Sequence, residues 1–261
     1  MYLYNSIKTK TLHEFGIIYN MEIKVFDRIE KKYLITKAEK NKIKRIVQKH
    51  LSKDKYYKSK VFNLYFDDDN YNLINESIDW TDFKYKIRAR SYEGYDRVFL
   101  ELKTKIRAPE NNLGYKRRVM ITHNDFKQLI DKKRSLKSLA EQSPESPYDI
   151  QIAKEIDYLI AKNNLKPKIL VIYNRESYKN DDDLRITFDE NLKFRHNNLS
   201  LNSRKNDKIY FKDNRKIIME VKARGALPLW FVKILSESKV YPERFSKVGN
   251  AYQKLRKELN V

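Results

Sequence analysis

Three strand-like segments carry the triplet Glu-x-Lys on their charged face, at Glu30–Lys32, Glu101–Lys103 and Glu220–Lys222, and an Arg-x-Arg pair stands at Arg88 and Arg90. Lys84 and Lys86, and Lys116 and Arg118, share that spacing, and Arg185, Thr187 and Asp189 extend it. Residues two apart in a strand point to one face, so each set becomes a row of fixed charge where the chain is extended. Rows of Lys and Arg suit a polyanion. The guanidinium fork bonds two phosphate oxygens at once, while Lys acts as a point charge. The embedded Glu residues add a second property: beside a polyphosphate, a carboxylate can hold a divalent cation that bridges phosphate oxygens.

Composition excludes several other chemistries. The chain has no Cys, which removes disulfides, thiolate zinc sites, iron–sulfur clusters and Cys nucleophiles together. It has only 5 Gly and neither G-x-x-x-x-G-K nor G-x-G-x-x-G, which argues against a P-loop or dinucleotide fold. His13, His50, His123 and His196 are scattered and take no role, so no Ser–His or Cys–His pair is evident. The Asp67–Asp69 and Asp181–Asp183 runs read as turns rather than cation sites.

The rows need strands to hold them. Residues 23–35 alternate as a strand, and Thr36 with Glu39 forms a capping box that opens a helix through Leu51. Strands follow at 60–66, 82–92, 96–107 and 113–122, the second and third joined by Glu93-Gly94-Tyr95 as a hairpin. Thr122 with Asp125 caps a helix running towards Arg134, residues 135–147 read as a loop, and 148–162 as a helix. Strands at 168–178, 183–189 and 216–224 precede a Pro228-Leu229-Trp230 segment and a final amphipathic helix at 247–258. Opposite the charged rows stand apolar ones, such as Phe83, Tyr85, Ile87 and Ala89, or Leu184, Ile186 and Phe188. Residues 1–20 show no clean period and are read as an extension, with a second Met at 21, and 21–261 as one domain. The expected fold is α+β, a mainly antiparallel sheet or barrel flanked by helices.

Lys plus Arg number 56 against 35 Asp plus Glu, a net charge of +21, while 41% of residues are hydrophobic and can form a core. No apolar run reaches the ~18 residues of a membrane span, and the N-terminus lacks a secretory segment, so a soluble, cytoplasmic protein is expected. So much like charge on one sheet face is repulsive unless anions fill the space. An open sheet on nucleic acid would explain it, as would a closed barrel with the charged face inside. The embedded carboxylates favour the barrel, and few aromatics stand on the charged faces for stacking bases, which counts against nucleic acid.

RIEKKYLI, LYFD, KIRAR, VFLELKTK, YKRRV, IYNRESY, LRITFD, IMEVK with Pro228-x-Trp230, and FSK follow one another in order between residues 23 and 250. This set resembles the catalytic domain of the vacuolar transporter chaperone (VTC) polyphosphate polymerases, which belong to the triphosphate tunnel metalloenzymes. The resemblance implies an eight-stranded antiparallel tunnel with a charged interior and a divalent metal, Mn²⁺ or Mg²⁺. It places Arg88 and Arg90 on the nucleotide triphosphate, with Lys103, Tyr173, Arg175, Arg185 and Lys222 beside them as catalytic positions. Lys32, Lys116, Arg118 and Lys247 fall on phosphate-binding positions, and Glu220 on the metal position, with Glu30 and Glu101 as further candidates. The wider superfamily opens with E-x-E-x-K, whereas Arg28 stands first here, which counts against a two-Glu metal site on this strand. No signalling domain of the kind that precedes this domain in eukaryotic relatives is recognised, and neither is a membrane segment, so coupled export of product is not expected.

The implied activity is transfer of the γ-phosphate of ATP to a growing inorganic polyphosphate chain. The alternatives are a tunnel triphosphatase acting on inorganic triphosphate or nucleoside triphosphates, and a non-catalytic module binding polyphosphate or RNA. The sequence sets no oligomeric state.

Overall fold

In the computed structural model, residues 28–79, 81–107, 112–142, 148–201, 208–209 and 216–259 are described, so the extension expected at 1–20 lies outside the described residues. The chain runs β1 (Arg28–Ile35), α1 (Lys37–His50), β2 (Ser52–Asp67), α2 (Asn72–Ile78), β3 (Phe83–Tyr92), β4 (Val98–Arg107) and β5 (Asn112–Ile121). It continues through α3 (His123–Ile130), α4 (Leu136–Gln142), α5 (Asp149–Lys162), β6 (Lys166–Lys179), β7 (Arg185–Arg195) and β8 (Lys208–Ile209). β9 (Ile217–Arg224), α6 (Leu229–Glu237) and α7 (Lys247–Leu259) complete it. One antiparallel sheet holds the strands in the order β1-β9-β7-β6-β2-β3-β4-β5, with the short β8 paired to β7. This is the expected α+β class, a single curled sheet flanked by helices. Among the described residues the end strands β1 and β5 are not paired to each other. The sheet nonetheless curls: Glu30 on β1 feels the charge of Lys103 on β4, and Arg88 on β3 that of Tyr173 on β6.

Alternation decides which side of each strand meets the helices. Tyr33 and Ile35 of β1, Ile186 and Phe188 of β7 and Met219 and Val221 of β9 are buried under α1 and α6 with Ile43, Val47, Phe231 and Ile234. Ile87 and Ala89 of β3, Leu100 and Leu102 of β4 and Val119 of β5 are buried under α3, α4 and α5. The charged rows therefore face the concave side. At one end α7 enters that side and packs Val248, Ala251 and Leu255 against Val61, Tyr65, Val171, Tyr173 and Ile218.

Local signals set the boundaries. Thr36 and Glu39 form the capping box of α1, and Thr122 and Asp125 that of α3. The β3–β4 connection turns at Gly94, whose φ of +76° is open to glycine and strained for other residues. Asp67 accepts the backbone N–H groups of Asp68, Leu73 and Ile74, so the acidic run is a turn that opens α2.

Several elements differ from expectation. β2 begins at Ser52, not at residue 60, because SKDKYYKS pairs with the far end of β6 although it carries no apolar alternation. Residues 136–142, expected as loop, form α4, where Leu136, Leu139 and Ala140 are buried and the Asp157 carboxylate accepts the N–H groups of Leu136 and Lys137. α2 and α6 were not expected. The first is too short for a period to show, and the second follows Pro228, which serves as its N-cap.

Candidate functional site

Three groups of charge line the concave face. The first is built on β3, β4 and β5, where the register sets Arg88 opposite Glu101 and Glu101 opposite Arg118. Glu101 is nearly inaccessible, with its side chain 2% exposed. Arg88 Nε donates to it at 2.5 Å, Lys116 Nζ lies at 2.6 Å and Arg90 Nε at 3.9 Å. Burial alone would raise this carboxyl, but the charges of Arg88, Arg90 and Lys116 outweigh it and hold it far below the usual carboxylate range. Neighbours on β2 complete the group: Arg90 Nε donates to Asn63 Oδ1 at 2.8 Å, and an Arg88 N–H to the Tyr65 hydroxyl at 3.3 Å. Arg118 stands apart, exposed over the Phe99 ring at 5.0 Å.

The second group joins β6, β7, β9 and α7. Arg175 makes a bidentate pair with Asp189, both N···O distances being 2.7 Å, and approaches Glu220 at 3.5 Å. Lys247, at the start of α7, reaches Asp189 at 2.7 Å and donates to Glu220. The Tyr173 ring supports both cations, 5.2 Å from the Arg175 guanidinium and 5.0 Å from the Lys247 ammonium. Burial opposes the charge of Glu220, yet Lys247, Arg175 and Lys32 keep it ionised well below the normal range. Burial would also lower Lys247, but Asp189 and Glu220 raise it above the ordinary lysine value.

In the third group, β1 and β9 pair Glu30 with Lys222 and Lys32 with Glu220, so two Glu-x-Lys triplets face each other reciprocally. Glu30 lies 3.6 Å from both Lys32 and Lys222, and Lys32 Nζ also donates to the Phe245 carbonyl at 3.0 Å. The segment before α7 is held there by the Glu243 N–H, which donates to the Lys32 carbonyl. Glu30 is lowered too: burial opposes, and Lys222, Lys103 and Lys32 prevail over repulsion from Glu220. Lys103 makes no ion pair or hydrogen bond among the described residues, and burial is the first cause of its fall to about 8.

Arg185 lies at the rim, where Asp54 of β2 holds it at 2.9 Å and Ser177 accepts from its Nε at 3.1 Å. Between Arg185, Arg175, Lys222 and Glu220 is a cavity of about 20 Å³, room for about one water-sized group. Thr187 lines it, and its hydroxyl is buried without a hydrogen-bond partner. An orphaned hydroxyl among three cations suits a phosphate oxygen.

The donor set also fits a hard divalent ion. Glu220 and Glu30 are both ionised and near enough to repel each other, and oxygen ligands of this kind suit Mg²⁺ or Mn²⁺ when substrate phosphates and water supply the rest. No group of three or more His, Cys, Asp or Glu with metal-ligand arrangement occurs among the described residues. Glu101 belongs to the first group, where three cations already surround it.

Sequence reasoning named the basic and metal-binding candidates but missed Asp189, Asn63, Tyr65 and Asp54. The parity of Asp189 with Arg185 and Thr187 was visible; Asn63 and Tyr65 share a parity too, hidden within an apolar strand. Asp54 carried no signal, because it sits where the β2–β6 register shifts between Lys53 and Lys58. A cleft of about 390 Å³ is lined by Arg175 together with Glu176 and Glu190, the two carboxylates that Lys40, Lys44 and Lys37 engage.

No helix among the described residues is long and apolar enough to cross a membrane. Among solved structures, a protein from Pyrococcus horikoshii OT3 matches at 17% identity and a TM-score of 0.45, covering 87% of this chain and 99% of its own. A putative adenylyl cyclase from Hippeastrum, described as having a dominant triphosphatase activity, matches at 16% identity and 0.48, covering 85% and 93%. A putative adenylate cyclase from Vibrio parahaemolyticus matches at 8% identity and 0.46, covering 87% and 98%. The comparison with curated proteins returns no match. The family model of the VTC domain matches residues 27–256, and the chain therefore belongs to the VTC domain family.

Proposed function

We propose that this chain is a polyphosphate polymerase that transfers the γ-phosphate of ATP to the end of an inorganic polyphosphate chain within the concave basic face. The observation that carries the reading is the gathering of cations from β1, β3, β4, β5, β6, β7, β9 and α7 on one inner face whose few carboxylates are already paired. Membership of the VTC domain family supports it.

Arg88 and Arg90 clamp the triphosphate, oriented by Glu101, Tyr65 and Asn63. Lys103 and Lys222 have weaker claims on them and meet phosphate as point charges. Arg175, Arg185 and the Thr187 hydroxyl surround the cavity where a transferring phosphoryl oxygen fits, and Lys32, Lys116, Arg118 and Lys247 extend the basic wall. Glu220 with Glu30 would hold Mn²⁺ or Mg²⁺, which supplies positive charge across phosphate oxygens when bound. In the reaction, a terminal oxygen of the acceptor chain forms a bond to the γ-phosphorus while the bond to the β,γ-bridging oxygen breaks, and ADP leaves. The attacking oxygen is already anionic, so the protein need only align two anions and offset their repulsion. A unit charge pair at 4 Å is worth about 4 kcal/mol at an effective dielectric of 20, which is why several cations are needed.

Incubation with ATP and Mn²⁺, with products resolved by gel and by phosphate release, tests the reading. Polyphosphate with ADP is expected. Orthophosphate as the only product makes the chain a triphosphatase, and tight, chelator-resistant binding without turnover makes it a binding module.

A further inference from the structure

The register that sets Arg88 opposite Glu101 sets Lys86 opposite Lys103, one step further along the same two strands. The two cations of β3 end in different surroundings. Arg88 has a carboxylate and a phenol, whereas Lys86, half-buried and on the same inner face, has no ion pair or hydrogen bond among the described residues. The groups that face it are cations: Lys32 from β1, Lys103 from β4, and Lys84 and Arg88 from its own strand. On β2, Asp67 spends its carboxylate on backbone amides of the α2 turn. The ammonium of Lys32 is turned to Glu30 and the Phe245 carbonyl. Burial first, and then Lys32 and Lys103, push Lys86 down to about 7.

We propose that Lys86 is a further phosphate-binding residue of this face and that it gains a proton as a phosphate group arrives. The inference rests on the polyanion reading above and names a residue which the family resemblance did not supply. The balance is simple. A neutral amine takes one proton from the buffer or from the ligand's own protonated phosphate, becomes an ammonium, and donates a charge-assisted hydrogen bond to a phosphate oxygen. Binding is then linked to proton uptake, and affinity falls as pH rises above 7.

The test is calorimetric titration of tripolyphosphate into the full chain, with a chelator present to prevent turnover, at pH 7, 8 and 9 in buffers of different ionisation enthalpy. Wild type is compared with Lys86→Arg, which cannot lose its proton, and Lys86→Met, which cannot gain one. The ligand's own protonation is common to all three. Wild type is expected to take up nearly one proton more per ligand than Lys86→Arg at pH 8, and to lose roughly tenfold or more in affinity between pH 7 and 9 relative to that variant. Lys86→Met is expected to bind more weakly than wild type at pH 7, with the excess uptake gone. Equal uptake in wild type and Lys86→Arg overturns the inference alone, as does undiminished affinity in Lys86→Met. Failure of wild type to bind tripolyphosphate overturns the polyanion reading itself.

Discussion

At the level of single residues, what a substitution does depends on how many cations each inward carboxylate already holds. Asp189 is fully buried between Arg175 and Lys247, so Arg175→Met leaves it with one partner. That variant is expected to lose about 2–3 kcal/mol of stability, read by calorimetry as a fall in Tm of roughly 5–10 °C, and to lose turnover with it. Glu220 is likewise engaged by Lys247 and Arg175, and it also lines the small cavity beside Arg185 and Lys222. Glu220→Gln keeps its shape but removes the charge that Lys247, Arg175 and Lys32 surround, so it is expected to lower metal-dependent turnover by about 100-fold or more and to lower Tm as Arg175→Met does; undiminished turnover removes Glu220 from the mechanism. Much of this group was legible from parity, since Glu220, Lys222, Arg88, Arg90 and Lys103 each lie two residues from another charge. Asp189 was seen on the right face without being recognised as a partner, because pairing across β6 and β7 is a tertiary fact.

The elements show a similar division. α1 and α3 were marked by their capping boxes, which act within four residues and so can be read locally. Thr36→Ala removes the α1 box and is expected to cost about 1 kcal/mol in denaturant unfolding. The first half of β2 was not legible, because it is stabilised by pairing with β6 and by charged partners rather than by an apolar face. α4 was hidden by a Ser-rich sequence whose N-terminal amides are satisfied by Asp157, 20 residues or more away. The helix that matters most to the site, α7, was anticipated in extent. Its entry into the concave side was not, since that depends on Val248, Ala251 and Leu255 meeting inner-face residues of four strands.

For the whole molecule, the net charge of +21 becomes a distribution: carboxylates buried among cations and, among the described residues, cations such as Lys86 and Lys103 that make no ion pair. The sign of its pH dependence follows. Glu101, Glu176 and Glu220 have folded values below their unfolded ones, Glu176 at about 2, so their contribution is complete above about pH 4–5 and is lost as pH falls through the folded values. Tm measured from pH 7 downwards is therefore expected to hold until about pH 4.5 and then to fall steeply, and a steady decline from pH 7 would contradict this. The central claim concerns which phosphate moves and where it goes. ATP labelled in its γ-phosphate, incubated with the protein and Mn²⁺, is expected to carry label into a ladder of polyphosphate, while ATP labelled in its α-phosphate leaves label only in ADP. Label from the γ-phosphate appearing solely as orthophosphate would contradict the claim.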